Sequence, residues 1–329
     1  MSHRPDSATA MTGRQSVPGP DGPLESSTPP AGPAVAGPEG AKGRPGFAAE
    51  LREIVQDLWH YRELLYQLTL RDVRIRYKQA IMGFGWALFM PSLIVLSGFL
   101  VRIVMAHLSG TTLETSSVAG IAVKAMPWGF FVGAIGFATG SLTGNLNLVT
   151  KIYFPREVLP LASVLAMGFD TLIGTAALIA VLPLLGVTLS AALLWVPVLA
   201  LLVFCFTAGV SLLLSCANLF FRDVKYIVQL LLTFGIFFTP VFFDAVMFGP
   251  TGLHIVMLNP LAPLLEGLRL SVVQGHHLLV PLIETTSSGQ QVLVWSPWYL
   301  GYSAVWAVLG LLGGAVLFHR AEFLFAEYV

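Results

Sequence analysis

Residues 68–93 read LTLRDVRIRYKQAIMGFGWALFMPSL. The run opens with four cations in eight residues, Arg71, Arg74, Arg76 and Lys78, offset only by Asp72, and passes through Gly83 and Gly85 into an apolar stretch that starts near Trp86. This is how a chain passes into a bilayer. Cations gather on the cytoplasmic side of a spanning helix, each drawn to anionic headgroups by about 1 kcal/mol. The cluster therefore orients the first span, and every later span alternates from it.

Hydrophobic residues supply 55% of the 329-residue chain and charged ones only 11%, against about 25% charged in a soluble domain. Such a composition belongs to an integral membrane protein, and no nucleic-acid partner is expected; the formal net charge of zero adds nothing further. Cys205 and Cys216 both lie in an apolar run, so they read as small buried residues and imply no disulfide framework. Residues 1–46 hold nine of the 21 prolines and no aromatic residue. They bury too little apolar surface to offset the entropy of ordering, so a disordered cytoplasmic tail is expected. It lacks the unbroken apolar core of a signal peptide, so the N-terminus is expected to remain in the cytosol.

Between residues 47 and 67, Leu51, Ile54, Val55, Leu58, Trp59, Leu65 and Tyr66 recur at helical spacing, with Arg52, Glu53, Gln56, Asp57, Arg62 and Glu63 on the other side. This helix is too polar to span. It should lie along the cytoplasmic surface with Trp59, Tyr61 and Tyr66 at headgroup level, or else pack on a partner as an ordinary soluble helix. The first span covers about residues 84–106, with Pro91 tolerated inside it and Arg102 late enough to snorkel outward. Residues 125–150 carry no charge and form the second, where Gly129-x-x-x-Gly133 and Gly136-x-x-x-Gly140 permit close helix packing. Asp170 is the only charge between Glu157 and Arg222, and a turn near residues 186–190 separates span three (161–185) from span four (191–220). Span five takes residues 226–243. The pieces over 244–297, broken by Gly249, Pro250, Pro260, Pro263, Gly275 and Pro281, are too short to span and suit re-entrant or interfacial outer helices. Span six, residues 298–318, leads to a cytoplasmic tail at His319 and Arg320.

The expected fold class is all-α integral membrane: a tail over 1–46, an amphipathic interfacial helix and basic cluster over 47–80, and a six-span domain over 81–329. Of the 14 Lys and Arg after residue 46, eleven fall on the inner side and only Arg102, Lys124 and Arg269 do not. An odd number of spans would put Arg320 outside and spoil that bias.

No convergent set of nucleophiles, bases or metal ligands stands out, and there is no G-x-x-x-x-G-K-[ST] to hold ATP, so neither a catalytic residue, a metal nor a cofactor site is expected in this chain. His276 and His277 have no carboxylate or cysteine at ligand spacing and read as a solvated loop. Asp170 is different. An acid within a span is costly and faces either a water-filled path or a polar partner between helices, and both remain open. Between spans two and three lies KIYFPREVLP, residues 151–160, where Pro155 opens a turn, Arg156 and Glu157 expose charge, Tyr153 and Phe154 anchor, and Pro160 restarts the next span. That rigid charged elbow suits transmission of force from a cytosolic partner, though a plain connection is also open.

Four runs in order, LTLRDVRIRYKQAIMGFGWALFMP, KIYFPREVLPLASV, FFRDVKYIVQLLLTFGIFFTPVFF and NPLAPLLEGLR, resemble the permease subunit of ABC-2 type polysaccharide exporters, as in O-antigen, lipopolysaccharide, capsule and teichoic acid export. The resemblance covers residue 51 to the C-terminus. It implies a homodimeric transport subunit, not an enzyme, working with two copies of a separate ATPase that uses ATP and Mg, in a bacterial plasma membrane with both termini cytoplasmic. Each copy contributes six spans to a channel for a polyprenyl-diphosphate-linked glycan.

The resemblance also implies roles for residues. Lys151, Tyr153, Phe154, Pro155, Arg156, Glu157 and Pro160 become the coupling helix seated in the ATPase. Residues 47–78 become a cytoplasmic gate, where Arg71, Arg74, Arg76 and Lys78, with Asp72 and Tyr77, meet the diphosphate headgroup, arginine by forked hydrogen bonds. Arg222, Asp223 and Lys225 repeat the Arg-Asp-Val pattern at the other inner edge, the aspartates serving as local charge partners. Sugar faces stack on aromatic rings, so Phe84, Trp86 and Phe89, with Phe234, Phe237, Phe238 and Phe242, and Asp170 between them, are candidates to line the glycan path. The glycan itself leaves no trace; the Pro- and Ala-rich tail hints at a GC-rich genome and at actinobacterial cell-wall galactan. The alternatives are an ABC-2 permease for a drug or small lipid and, from another class, a membrane-bound glycosyltransferase or lipid-modifying enzyme.

Overall fold

The computed structural model describes residues 46–78, 83, 85–110, 115–151, 154–188, 190–285, 291–323 and 325. The tail expected over residues 1–46 lies outside these except for Gly46. In chain order the elements are α1 (Phe47–His60), α2 (Arg62–Tyr77), α3 (Gly85–Ser109), α4 (Thr115–Thr139), α5 (Ser141–Gly144), α6 (Leu146–Lys151), α7 (Val158–Val181), α8 (Trp195–Phe220), α9 (Val224–Phe238), α10 (Gly249–Met257), α11 (Leu261–Val272), β1 (Leu282–Thr285), β2 (Gln291–Trp295) and α12 (Pro297–Glu322).

Among the described residues, five helical segments are long and apolar enough to cross a membrane: Gly85–Leu108, Ser116–Thr139, Val158–Leu185, Ala191–Phe220 and Pro297–Glu322. A chain in hydrocarbon must satisfy its backbone internally, and these uninterrupted apolar runs do so as helices. The protein is thus a helical, multi-pass integral membrane protein. Residues 226–243, expected as span five, supply only the 15-residue α9, about 22 Å long against a core of about 30 Å. The departure from an all-α chain is small: β1 and β2 form one antiparallel hairpin in the segment before α12.

One span moved because a charge was read as its end, and one cation turns elsewhere than expected. Span two was expected to begin after Lys124, yet α4 starts at Thr115 and carries Lys124 inside it, fully buried. Arg102 does not snorkel outward; it turns onto Asp244 and the carbonyl of Phe242. The amphipathic helix expected over 47–67 is instead two helices that break at Tyr61, where neither glycine nor proline marks a stop, and α2 carries the basic cluster to Tyr77 in helical form.

One end of the bundle gathers the basic elements. There Ile54 of α1, Leu68 of α2, Phe154, Leu219 of α8 and Phe318 of α12 share a core with Phe325, and Glu50 clasps Arg320 at 2.9 Å. The rest of the core joins α4, α8 and α11, with Phe130 stacked on Phe204 and Phe131 on Phe206. Every residue of α11 is buried. Trp295 caps this core, wholly buried and donating from Nε1 to the carbonyl of Leu278 at 2.8 Å. α3 and α9 expose most of their apolar side chains, so lipid or another chain must cover them in a bilayer.

Among the described glycines, the closest approach to another helix's backbone is not at the expected Gly-x-x-x-Gly pairs. At Gly129 and Gly136 an added Cβ would meet nothing within 4 Å, and at Gly133 only the flexible Met167 side chain, whereas at Gly209 of α8 it would lie 2.3 Å from the backbone of Gly310 of α12. Backbone cannot yield as a methionine can. Gly209→Ala should therefore cost about 2–3 kcal/mol of stability, and Gly129→Ala less than about 0.5 kcal/mol. Thermal unfolding of the two variants, followed by tryptophan fluorescence in nanodiscs, checks the contrast.

Candidate functional site

The elbow lies between α6 and α7. The described residues between Lys151, where α6 ends, and Val158, where α7 begins with Pro160 in its first turn, form no helix of their own. Tyr153 lies outside the described residues. Phe154 is buried in the basic-end core, Lys151 is exposed and Pro155 half-buried. Arg156 and Glu157, expected to expose charge, turn inward. Arg156 Nη1 donates to the carbonyl of Glu322 at 2.9 Å, its Nε sits 3.7 Å from that residue's carboxylate, and the guanidinium lies over the Phe325 ring. Glu157 is 2% exposed and meets His319 Nδ1 at 3.1 Å. The elbow is thereby fastened to the last turns of α12, which the Glu50–Arg320 pair also ties to α1.

The basic cluster on α2 divides by partner. Arg71 forks onto Asp72 through Nε and Nη2, and Asp72 also accepts from Ser163 on α7. Arg76 is bound to Asp170 on α7, rests 4.2 Å from the Phe137 ring centroid, and contacts Met167. Tyr77 donates to the other oxygen of Asp170. Burial first, and this bond second, push the Tyr77 phenol above its ordinary value, so it remains a donor at neutral pH. Asp170 thus anchors α2 to α7, one of the two roles left open by the sequence. Arg74 and Lys78 are exposed, and neither forms an ion pair among the described residues. Arg222, Asp223 and Lys225 are exposed at the turn into α9, where the Lys225 amide donates to Asn218; the charge pairing expected of Asp223 is absent among the described residues.

The aromatic candidates do not share one environment. Phe84 lies outside the described residues. Trp86 and Phe89 meet edge to face at 5.5 Å on α3 with about two-fifths of each exposed, and Phe234, Phe237 and Phe238 on α9 are exposed further. Phe242 is 6% exposed and packs in the core against Gly98, Phe237 and Phe243.

A cluster unforeseen from the sequence lies at the other end of the bundle. Asp244, just after α9, accepts from Arg102 of α3 and, at 3.1 Å, from Lys124 of α4, and lies 3.4 Å from Arg269 of α11. Arg269 forks onto Glu266 at 2.9 and 2.6 Å, and Lys124 also donates to the carbonyl of Phe243 at 2.6 Å. Burial would raise the Asp244 carboxyl, but Lys124, Arg269 and Arg102 outweigh it and hold it well below the usual carboxylate range. Burial likewise opposes the Arg269 charge, and Glu266 and Asp244 more than restore it. A signal existed: Arg102, Lys124 and Arg269 are the three cations that broke the positive-inside pattern.

No family model matches the chain. It is 28% identical over 214 residues to an O-antigen export system permease protein RfbA of Klebsiella pneumoniae, covering 65% of this chain and 81% of that protein. A second Klebsiella pneumoniae protein of that name is 27% identical over 63% of this chain and 79% of its own. The Myxococcus xanthus protein of the same name is 28% identical over 68% of this chain and 85% of its own. Similarity to three such permeases across most of the chain, on a multi-pass helical fold, supports the resemblance carried by its four motifs, that of an ABC-2 polysaccharide-exporter permease.

Proposed function

We propose that this chain is the permease subunit of an ATP-driven exporter that moves a polyprenyl-diphosphate-linked polysaccharide from the cytoplasmic to the outer face of a bacterial plasma membrane. The observation that carries the reading is the similarity, over about two thirds of the chain, to proteins whose names specify O-antigen export. On this reading two copies form the channel and two copies of a separate ATPase hydrolyse ATP. Both termini face the cytoplasm, which requires a sixth crossing, made by α9 together with the turn residues 239–243 that follow it.

The geometry of the basic end suits the coupling role. Because Arg156 and Glu157 are held by Glu322 and His319, a push on the elbow moves the end of α12 and, through Arg320 and Glu50, α1 as well. Changing Arg156 and Glu157 together to alanine should leave the subunits assembled and ATP hydrolysis running while export falls about tenfold or more. Full export by that variant removes the elbow from the mechanism.

Arg74 and Lys78 are exposed and available to a diphosphate, whereas Arg71 is engaged by Asp72 and Arg76 by Asp170. Removing the charges of Arg74 and Lys78 should weaken carrier binding by about tenfold or more, since a hydrogen bond to a charged group contributes about 1.5–3 kcal/mol. Topology mapping should show no change; an inverted chain would mean that the cluster serves only orientation.

Co-purification from the native membrane tests the whole reading. An ATPase at equal stoichiometry together with a lipid-linked polysaccharide supports it. An ATPase with a drug or small lipid instead points to another kind of ABC-2 cargo, and the absence of any ATPase overturns it.

A further inference from the structure

Three side chains far apart in sequence meet beneath the elbow. Glu157 opens α7, and His319 and Glu322 lie in the last turn of α12, with one ligand atom of each within 4.8 Å of the others. No spacing pattern announces them, because Glu157 and His319 are 162 positions apart. The Glu157 carboxylate is 2% exposed; its Oε1 meets His319, and its Oε2 is buried without a hydrogen-bond partner among the described residues. A buried carboxylate oxygen left bare is costly, and such atoms are rare unless something binds them.

The local charge favours a cation. Two carboxylates face one guanidinium, that of Arg156, and the neighbouring Glu50–Arg320 pair is neutral by itself. Arg156 leaves room, since it stands 3.7 Å from the Glu322 carboxylate and spends its shorter bond on the backbone carbonyl. His319 and Glu322 side chains are 15% and 23% exposed, so the cluster is reachable from solvent while Glu157 closes its floor. One imidazole and two carboxylates form a nitrogen and oxygen donor set that suits zinc and its neighbours more than calcium or magnesium, with bonds of about 2.0–2.2 Å.

We propose that Glu157, His319 and Glu322 bind a divalent transition-metal ion of the zinc class, which ties the elbow to the C-terminal end of α12. The ion would supply the partner that Glu157 Oε2 lacks and add a further tie between the elbow and α12 beside the Arg156–Glu322 and Glu157–His319 contacts. The site rests on geometry alone and does not depend on what the chain transports.

The test uses the full chain in nanodiscs, with an affinity tag free of histidine, stripped with chelator and titrated with Zn2+ by calorimetry, the bound metal being counted by mass spectrometry. One ion per chain is expected, and Co2+ in its place should give visible absorption of a protein-bound site. His319→Ala and Glu157→Gln should each weaken binding at least about tenfold, while changing His276 and His277 to alanine should alter nothing. Should His319→Ala fail to fold, Glu322→Gln and the Co2+ spectrum of the unaltered chain still decide. Absence of a stoichiometric ion, or affinity indifferent to Glu157, His319 and Glu322, overturns the site.

Discussion

Replacing Asp170 by alanine should destabilise the folded chain by about 3 kcal/mol, because it strands a partly buried guanidinium and a phenol together. Among the described residues, Arg76 reaches α7 through Asp170 and Met167, and Tyr77 donates to the same carboxylate. The cost falls at the low end of what breaking a buried pair exacts, since the Arg76 side chain is 21% exposed and keeps its position over the Phe137 ring. A cation above a ring retains about 0.5–2 kcal/mol of attraction. Changing Arg76 to methionine and Asp170 to leucine together should cost far less than Asp170→Ala alone, because no charge is then left unpaired. Thermal unfolding of the three variants in nanodiscs measures the difference. Accessibility of a cysteine placed at Arg74 should rise in Asp170→Ala if α2 lifts from α7. Equal stability of Asp170→Ala and the unaltered chain would mean that α2 is held by its apolar face alone.

That anchor shows how far the sequence could be read. Asp170 stood out as the lone charge between Glu157 and Arg222, and an intramembrane acid requires either a partner or water. Which partner was hidden, because Arg76 lies 94 positions away and belonged to a cluster explained by lipid attraction alone. The spans with unbroken apolar runs, α3, α7, α8 and α12, emerged close to their observed bounds, since hydropathy alone specifies a helix in a bilayer. α4 was displaced because Lys124 was read as lying outside the hydrocarbon, when its charge is met by Asp244 and Glu266. Tyr61 broke one amphipathic helix into two with no residue signal at all.

The elbow was legible as a rigid turn from Pro155 and Pro160, but not in its facing. Charged residues in a loop read as solvent-facing by default, and only the return of α12 to the same place, with His319, Glu322 and Phe325, turns Arg156 and Glu157 inward. Contacts between distant segments are beyond local periodicity. The same holds for Gly209: Gly310-x-x-x-Gly314 is legible on α12, but nothing local says that α8 lays Gly209 against that pair.

Asp244→Asn should be the most damaging single change at the opposite end of the bundle, by about 3–5 kcal/mol. The unaltered cluster sets Arg102, Lys124 and Arg269 against Asp244 and Glu266, leaving one positive charge in excess. Asp244→Asn leaves two in excess inside apolar surroundings, whereas Lys124→Met leaves none, and combining the two returns the excess to one. The expected order of stability is therefore Lys124→Met near the unaltered chain, the double variant below it, and Asp244→Asn lowest. Geometry adds to charge, because Asp244 bridges α3, α4 and α11 from the segment that follows α9. The pH dependence has a definite sign. A carboxyl held below its unfolded value near 3.9 stabilises the folded state fully above that value and loses the contribution as pH falls through the folded one. The gap between the unaltered chain and Asp244→Asn should hence stay constant from about pH 5 to 8 and narrow only in acid below about pH 4. Unfolding scans across that range check it; a gap that instead closes near neutrality would show that Asp244 is not held by Lys124, Arg269 and Arg102.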